Sequence, residues 1–430
     1  MTGTSLPEQG LVFWPVGTGD STTIVIDDEH VVQVDLHDMA MADDDPVVAA
    51  VVDWLVEVLP RRDGKPYLAA FILTHADKDH CLGFADLLDK VAIGELWATP
   101  RLWREYTEND VPLCPDAEAF HAEAKRRVAA TERAIAAGRT PASGDRIRVV
   151  GYDTEQSKHA YSELPDEYLS YPGESVTSVD GDDMSGLFEA FIHAPFKDDC
   201  AAERNDTSLA LQITLKDPEG LEGHALLLGD LAYETIKKIF EFSEHANRPG
   251  RLTWEVLLAP HHSSKKVMYV TEDGDEVLKQ DILDLLEHHA AGSEVVVVSS
   301  GEFPASNKSG DNPPHLLARA RYEVIAAKVI CTAEYPEASA PRPVVFCLGH
   351  DGFALVEVER TLEETASKSA ALGRAVAGVG VLALLAGAVI SKRRRQQTSQ
   401  PKGLAQVRQA VITARGDEAA PQQPVGFGRR

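Results

Sequence analysis

The chain has 430 residues, 44% hydrophobic and 26% charged, an ordinary globular composition long enough for one large domain with appendages or for two domains. Its formal net charge of -26 excludes a broad nucleic-acid footprint, since phosphate backbones are held at physiological salt by clustered Lys and Arg, although a local basic groove stays open. Five widely spaced cysteines without a C-x-x-C pair exclude a disulfide framework or zinc knuckle and fit reduced thiols in a cytoplasmic compartment.

Residues 11–36 alternate apolar runs with turns, the first turn being Gly17-Thr18-Gly19-Asp20, and predict an opening β-meander. Apolar positions at helical spacing over 46–59 predict a helix that feeds a buried strand over 69–73. That strand runs straight into His75, Asp77, Asp79 and His80, four candidate ligands within LTHADKDHCLGF. A short helix over 84–91 and a strand over 95–98 follow. Residues 100–186, a helix ending at Gly138 and then a polar Ser/Asp/Glu-rich stretch, are expected to be an inserted helical and loop region able to form a lid.

Strand patterns resume at 188–194, 208–215 and 225–228, the last leading into Gly229-Asp230; a helix over 232–242 precedes a strand over 254–259 that ends in Pro260-His261-His262-Ser263-Ser264. Further strands are expected at 295–299 and in a closing hairpin, 344–348 with 353–358. Polar side chains thus recur at strand C-terminal ends: His75/Asp77/Asp79/His80, Asn205/Asp206, Asp230 and His261/His262. His193 lies within a strand and is expected to be a core histidine. The Gly17-x-Gly19 pair is no nucleotide loop, because no G-x-G-x-x-G or Walker lysine follows.

The uncharged stretch 375–391 with KRRR directly after it predicts a transmembrane helix, with a helix packed on the domain or a partner as the alternative. Residues 391–430 carry +7, leaving -33 for the rest, and 392–430 are expected to be a disordered basic tail. The first ten residues lack a basic start and apolar core, so no secretory signal is expected. Together these readings predict a membrane-associated protein whose catalytic domain, 1–365, is cytoplasmic.

Five stretches in order, Val16-Gly17-Thr18-Gly19-Asp20-Ser21, HADKDH, Asn205-Asp206-Thr207-Ser208-Leu209, Leu228-Gly229-Asp230-Leu231 and Pro260-His261-His262-Ser263-Ser264, resemble the metallo-β-lactamase superfamily, and most closely the hydrolase domain of ComEC-type competence proteins. The resemblance covers roughly residues 11–358. It implies an α/β fold, a four-layer αβ/βα sandwich, with two divalent cations at one edge. One cation would be held by His75, Asp77 and Asp206 or Asn205, the other by Asp79, His80 and either His261 or His262, with Asp230 between them. Asp77, where many members have a histidine, makes the first position oxygen-rich and opens Mn²⁺ or Mg²⁺ beside Zn²⁺. Asp35 resembles the early aspartate that orients the ligand loop.

Two cations sharing a water lower its pKa and offset charge developing at a phosphorus or carbonyl centre. The implied activity is phosphodiester hydrolysis, by a nuclease or nucleotide phosphodiesterase, with Asp79 and Asp230 catalytic and His315 at the substrate phosphate or leaving group. The acidic body favours a small or single-stranded substrate. Alternatives are lactone, thioester or β-lactam hydrolysis on the same fold, or a ligand-binding component of membrane-linked signalling or defence.

Overall fold

The computed structural model describes residues 5–38, 50–108, 113–153, 159–197, 204–306 and 313–357. The opening meander forms as β1 (Gly10–Phe13), β2 (Thr22–Val25) and β3 (Val31–Val34), paired antiparallel. After α1 (Val51–Val58) the chain re-enters beside β3 as β4 (Lys65–Ile72), and pairing from here is parallel. The turn helix α2 (Lys78–Cys81) and α3 (Phe84–Lys90) lead to β5 (Ala92–Ala98), and α4 (Arg101–Glu108) and α5 (Pro115–Ala136) lead to β6 (Arg146–Val150) and then β7 (Leu169–Ser170).

The second sheet repeats this plan. Strands β8 (Ser175–Val176), β9 (Phe188–Ala194), β10 (Ala210–Lys216) and β11 (Glu222–Leu227) are antiparallel. Then α6 (Tyr233–His245), β12 (Trp254–Leu258), α7 (Gln280–His289), β13 (Ala290–Val298), α8 (Leu316–Ile325) and β14 (Lys328–Cys331) add parallel strands through helical crossovers. Hairpin β15 (Val344–Gly349) and β16 (Gly352–Leu355) returns to the first sheet beside β1.

Three apolar clusters define four layers. Tyr67, Ala69 and Ile72 of β4 and Leu211, Ile213 and Leu215 of β10 meet in the core between the sheets. Leu68 and Phe71, on the other face of β4, pack against Leu55, Phe84, Phe120 and Ala124 of the helices. On the far side Ile236, Leu286 and Tyr322 cover the second sheet with Leu226 and Leu257. Strands buried on both faces read as continuous apolar runs, which is why 69–73 and 254–259 stand out in the sequence. This helix–sheet–sheet–helix order is the four-layer αβ/βα sandwich expected from the sequence.

Within residues 100–186, β6 pairs with β5, and α5 lays Ala117, Phe120, Ala124 and Val128 on the first sheet. Short strands separated by long polar connections hid a further parallel crossover. Among the described residues no helix is long and apolar enough to cross a membrane. The expected span 375–391 and the basic tail 392–430 lie outside the described residues.

Candidate metal centre

Ligands in mixed sheets gather beyond the carboxyl ends of parallel strands, and the polar ends of β3, β4, β11, β12 and β13 come together here. Asp35, directly after β3, adopts a left-handed conformation (φ 53) and buries its carboxylate under the ligand loop. It accepts hydrogen bonds from the Thr74 backbone N–H (2.7 Å) and Thr74 hydroxyl (2.7 Å), and its Oδ2 lies 2.8 Å from His80 Nδ1. The Thr74 hydroxyl, having given its proton to Asp35, can only accept from His75 Nδ1 at 3.1 Å. Both histidines therefore turn Nε2 inward.

Asp230 is the meeting point. Its Oδ1 lies 3.2 Å from His80 Nε2 and 3.5 Å from His262 Nε2. Its Oδ2 lies 3.8 Å from His75 Nε2 and 3.7 Å from His261 Nε2. Asp79 Oδ2 is 3.4 Å from His262 Nε2, on the first side, and Asp77 Oδ2 is 3.6 Å from His75 Nε2, on the second. Asp77 Oδ1 is also paired with the Arg204 guanidinium at 2.7 Å.

Both His261 and His262 reach Asp230, one at each oxygen. Asn205 places its amide nitrogen 3.4 Å from Asp230 Oδ2 and 3.5 Å from His261 Nε2. His315 is buried at the start of α8, and its backbone N–H donates to the Ser263 carbonyl (3.2 Å), directly after the histidine pair. His193 is buried in β9 with Nε2 on the Arg251 carbonyl (2.9 Å), a core histidine as expected.

The histidine pair is held by unusual backbone. His261 (φ 49), His262 (φ 52) and Ser263 (φ 66) are all left-handed, at roughly 1–2 kcal/mol per residue. An extended chain would alternate the two rings to opposite faces, whereas this turn sends both to one carboxylate. The His261 N–H bonds the Gly229 carbonyl (3.0 Å), tying the turn to the Asp230 loop. Gly229 itself is left-handed (φ 53), and a Cβ there would sit 2.8 Å from Ser208 Cβ.

Asp20 is a member the sequence did not single out as a ligand. It is buried, its Oδ1 is 3.4 Å from His262 Nδ1, and it forms one group with His80, Asp230 and His262 in which single ligand atoms all lie within 4.8 Å of one another. Its backbone N–H donates to the Asp79 carbonyl (3.0 Å), and the Ser299 hydroxyl clamps the neighbouring Gly19 carbonyl (2.6 Å) while the Ser299 carbonyl lies 3.0 Å from His262 Nδ1. A Cβ on Gly19 would meet the His37 ring at 2.2 Å, so only glycine lets this loop close. The G-x-G-D spacing before a strand was the available signal.

Burial lowers the pKa of His75 and His261, favouring the neutral form. Burial opposes charge on His80 and His262 as well, but Asp230 with Asp35 raises His80 well above its usual value, and Asp230, Asp20 and Asp79 carry His262 up to about 10. Asp230 stays ionised against its burial because His262 and His80 hold its pKa well below the carboxylate range. Asp79, also opposed by burial, is depressed by the adjacent imidazoles of His262 and His80. Protons on two imidazoles here balance buried carboxylates, a role that a divalent cation would take over with proton release. His75 Nε2, His80 Nε2, His262 Nε2, Asp20 Oδ1 and Asp230 Oδ1 are all buried without a hydrogen-bond partner. Native interiors seldom leave such atoms unsatisfied, and all five belong to one cluster, so the donor set fits a metal.

No family model matches this chain, and no curated protein matches it. Among solved structures it is similar to the metallo-β-lactamase MIM-1 of Novosphingobium pentaromativorans, with 14% identity and a TM-score of 0.27 over 60% of this chain and 79% of the other. An archaeal metallo-β-lactamase superfamily protein from Sulfolobus tokodaii gives 11% identity and a TM-score of 0.28 over 74% and 95%.

Proposed function

We propose that the chain is a metal-dependent hydrolase of phosphodiester bonds that uses two divalent cations, Zn²⁺ or Mn²⁺/Mg²⁺. One observation carries this reading: the two oxygens of Asp230 each face their own pair of histidines. His75, His261 and Asp77, with Asp206 or Asn205, would hold one cation, and His80, His262 and Asp79 the other, with Asp230 shared. When bound, such a pair lowers the pKa of a water and neutralises charge on a phosphoryl group.

The protein's own groups supply the rest. Asp35 and the Ser299 carbonyl fix the back of His80 and His262, and Thr74 fixes His75, so the ring orientations are set before any ligand arrives. Asp79 is the most exposed carboxylate of the cluster and is held ionised, which suits it to orient a water and accept its proton. His315, next to the histidine turn, is assigned to the leaving group. An oxygen donor, Asp77, on one side of Asp230 favours Mn²⁺ or Mg²⁺ there over a strict zinc set. Residues 375–391 are proposed to hold the enzyme at a membrane; truncation after residue 365 should then move it to the soluble fraction.

The test is reconstitution of chelator-treated protein with Mn²⁺, Mg²⁺ or Zn²⁺, followed by a panel of single-stranded DNA, RNA, cyclic dinucleotides, a generic phosphodiester, a lactone and a β-lactam. Metal-dependent turnover of a phosphodiester is expected. Turnover confined to the lactone or lactam would transfer the site to the alternative chemistry, and no turnover together with unchanged metal content in Asp230→Ala would end the catalytic reading.

A further inference from the structure

Cys81 closes α2, immediately after His80, and is fully buried. Its Sγ lies 3.4 Å from the Sγ of Cys114 and 3.2 Å from the Asp77 carbonyl oxygen. Cys114 is the N-cap of α5, a 22-residue helix with Pro115 at its start, and is half-buried, so small reagents reach it where they do not reach Cys81. The Cys81 S–H donates to the Asp77 carbonyl. An accessible thiol at a helix N-terminus thus touches a buried thiol one residue from a cluster histidine.

We infer that Cys114 and Cys81 form an oxidant-responsive dithiol, a covalent modification site that ties the ligand-bearing turn to α5. The oxidant is a hydroperoxide. The Cys114 thiolate attacks the peroxide oxygen, the O–O bond breaks, and an alcohol (water, for hydrogen peroxide) leaves after taking a proton, giving a sulfenic acid. Cys81 then attacks that sulfur, the S–O bond breaks, and hydroxide leaves with the Cys81 proton as water. Two thiols are oxidised to one disulfide and one peroxide is reduced.

The sulfurs must close from 3.4 Å to a bond of about 2.05 Å, and the end of α2 moves with them. That turn carries Asp79 and His80, and its carbonyls anchor Asp20 (Asp20 N–H to Asp79 O, 3.0 Å) and Leu36 (Leu36 N–H to His80 O, 2.8 Å). Oxidation therefore loosens the half of the cluster around Asp230 Oδ1. This consequence rests on the proposed metal centre; the cross-link itself does not.

The experiment treats full-length protein with hydrogen peroxide, alkylates the remaining thiols and maps peptides by mass spectrometry without reduction. A Cys81–Cys114 peptide that disappears with dithiothreitol is expected, and Cys114→Ser, which keeps a good N-cap, should leave Cys81 as a free thiol. Conversion of Cys114 to sulfinate without cross-linking, or cross-links that bypass this pair, would overturn the site. Metal titration of the same samples should show about 10-fold weaker binding after oxidation, restored by reductant. A cross-link with unchanged metal affinity would overturn the coupling.

Discussion

At the scale of the residue, Asp230 is where the two halves of the cluster meet. Asp230→Asn keeps the volume and removes the charge that both histidine pairs face, so loss of at least one bound cation is expected by elemental analysis. Activity should fall by about 10²–10³, the range for removing one electrostatic contact in a transition state. Asp35 and Asp20 act from behind, on His80 Nδ1 and His262 Nδ1. Asp35→Asn should weaken metal binding by about 10–100-fold with little change in far-ultraviolet circular dichroism; an unchanged affinity would reduce Asp35 to a loop cap. Asp77 is bound on one oxygen by Arg204 and faces His75 with the other. Asp77→His should shift metal preference toward zinc in competitive titration, and no shift would make Asp77 a partner of Arg204 alone.

At the scale of the element, the turn after β12 concentrates the strain. Three left-handed residues in succession would cost an ordinary loop roughly 1–2 kcal/mol each, and the sandwich bears that cost where two adjacent side chains must converge. Ser263 is the one whose side chain does not face Asp230, its Oγ being buried without a hydrogen-bond partner. Ser263→Gly should therefore stabilise the metal-free protein by about 1 kcal/mol in urea unfolding, while weaker metal binding would reveal how much of the strain aims the histidines. A net destabilisation would mean that the Ser263 side chain matters more than its backbone. The strand ends bearing ligands were legible as apolar runs breaking into His and Asp. This turn was not, because no residue in Pro-His-His-Ser-Ser announces a left-handed conformation.

At the scale of the whole molecule, buried histidines outside the cluster set an acid limit. Burial lowers His193 to about 4, and burial with Lys125 lowers His121 to about 4 as well. In both, the folded pKa lies below the unfolded value near 6.5, so folding favours the neutral ring. Their contribution is fully present above about pH 6.5 and is lost as pH falls toward 4, on the order of 3 kcal/mol for fully buried His193. His262 has the opposite sign in chelated protein, its stabilisation being present below about pH 6.5 and lost as pH rises through about 10. Urea midpoints measured in chelator across the acid window should fall with pH, and His193→Gln, which keeps a donor for the Arg251 carbonyl, should flatten that fall. An equally steep fall in the variant would remove His193 as a cause.

Sequence by itself marked the buried strands and the polar residues that follow their ends. Strands buried on both faces must be apolar throughout, and a run of four candidate ligands at such a strand's end has few structural explanations. Pairing across the chain was decided only by the tertiary structure: β6 joining the first sheet, Asp20 arriving beside His262, Asn205 meeting Asp230, and Cys114 against Cys81. The physical reason is common to all four. Periodicity fixes which face of an element is buried, whereas a polar or sulfur atom finds its partner through loop closure and the packing of residues distant in the chain, which local pattern does not encode.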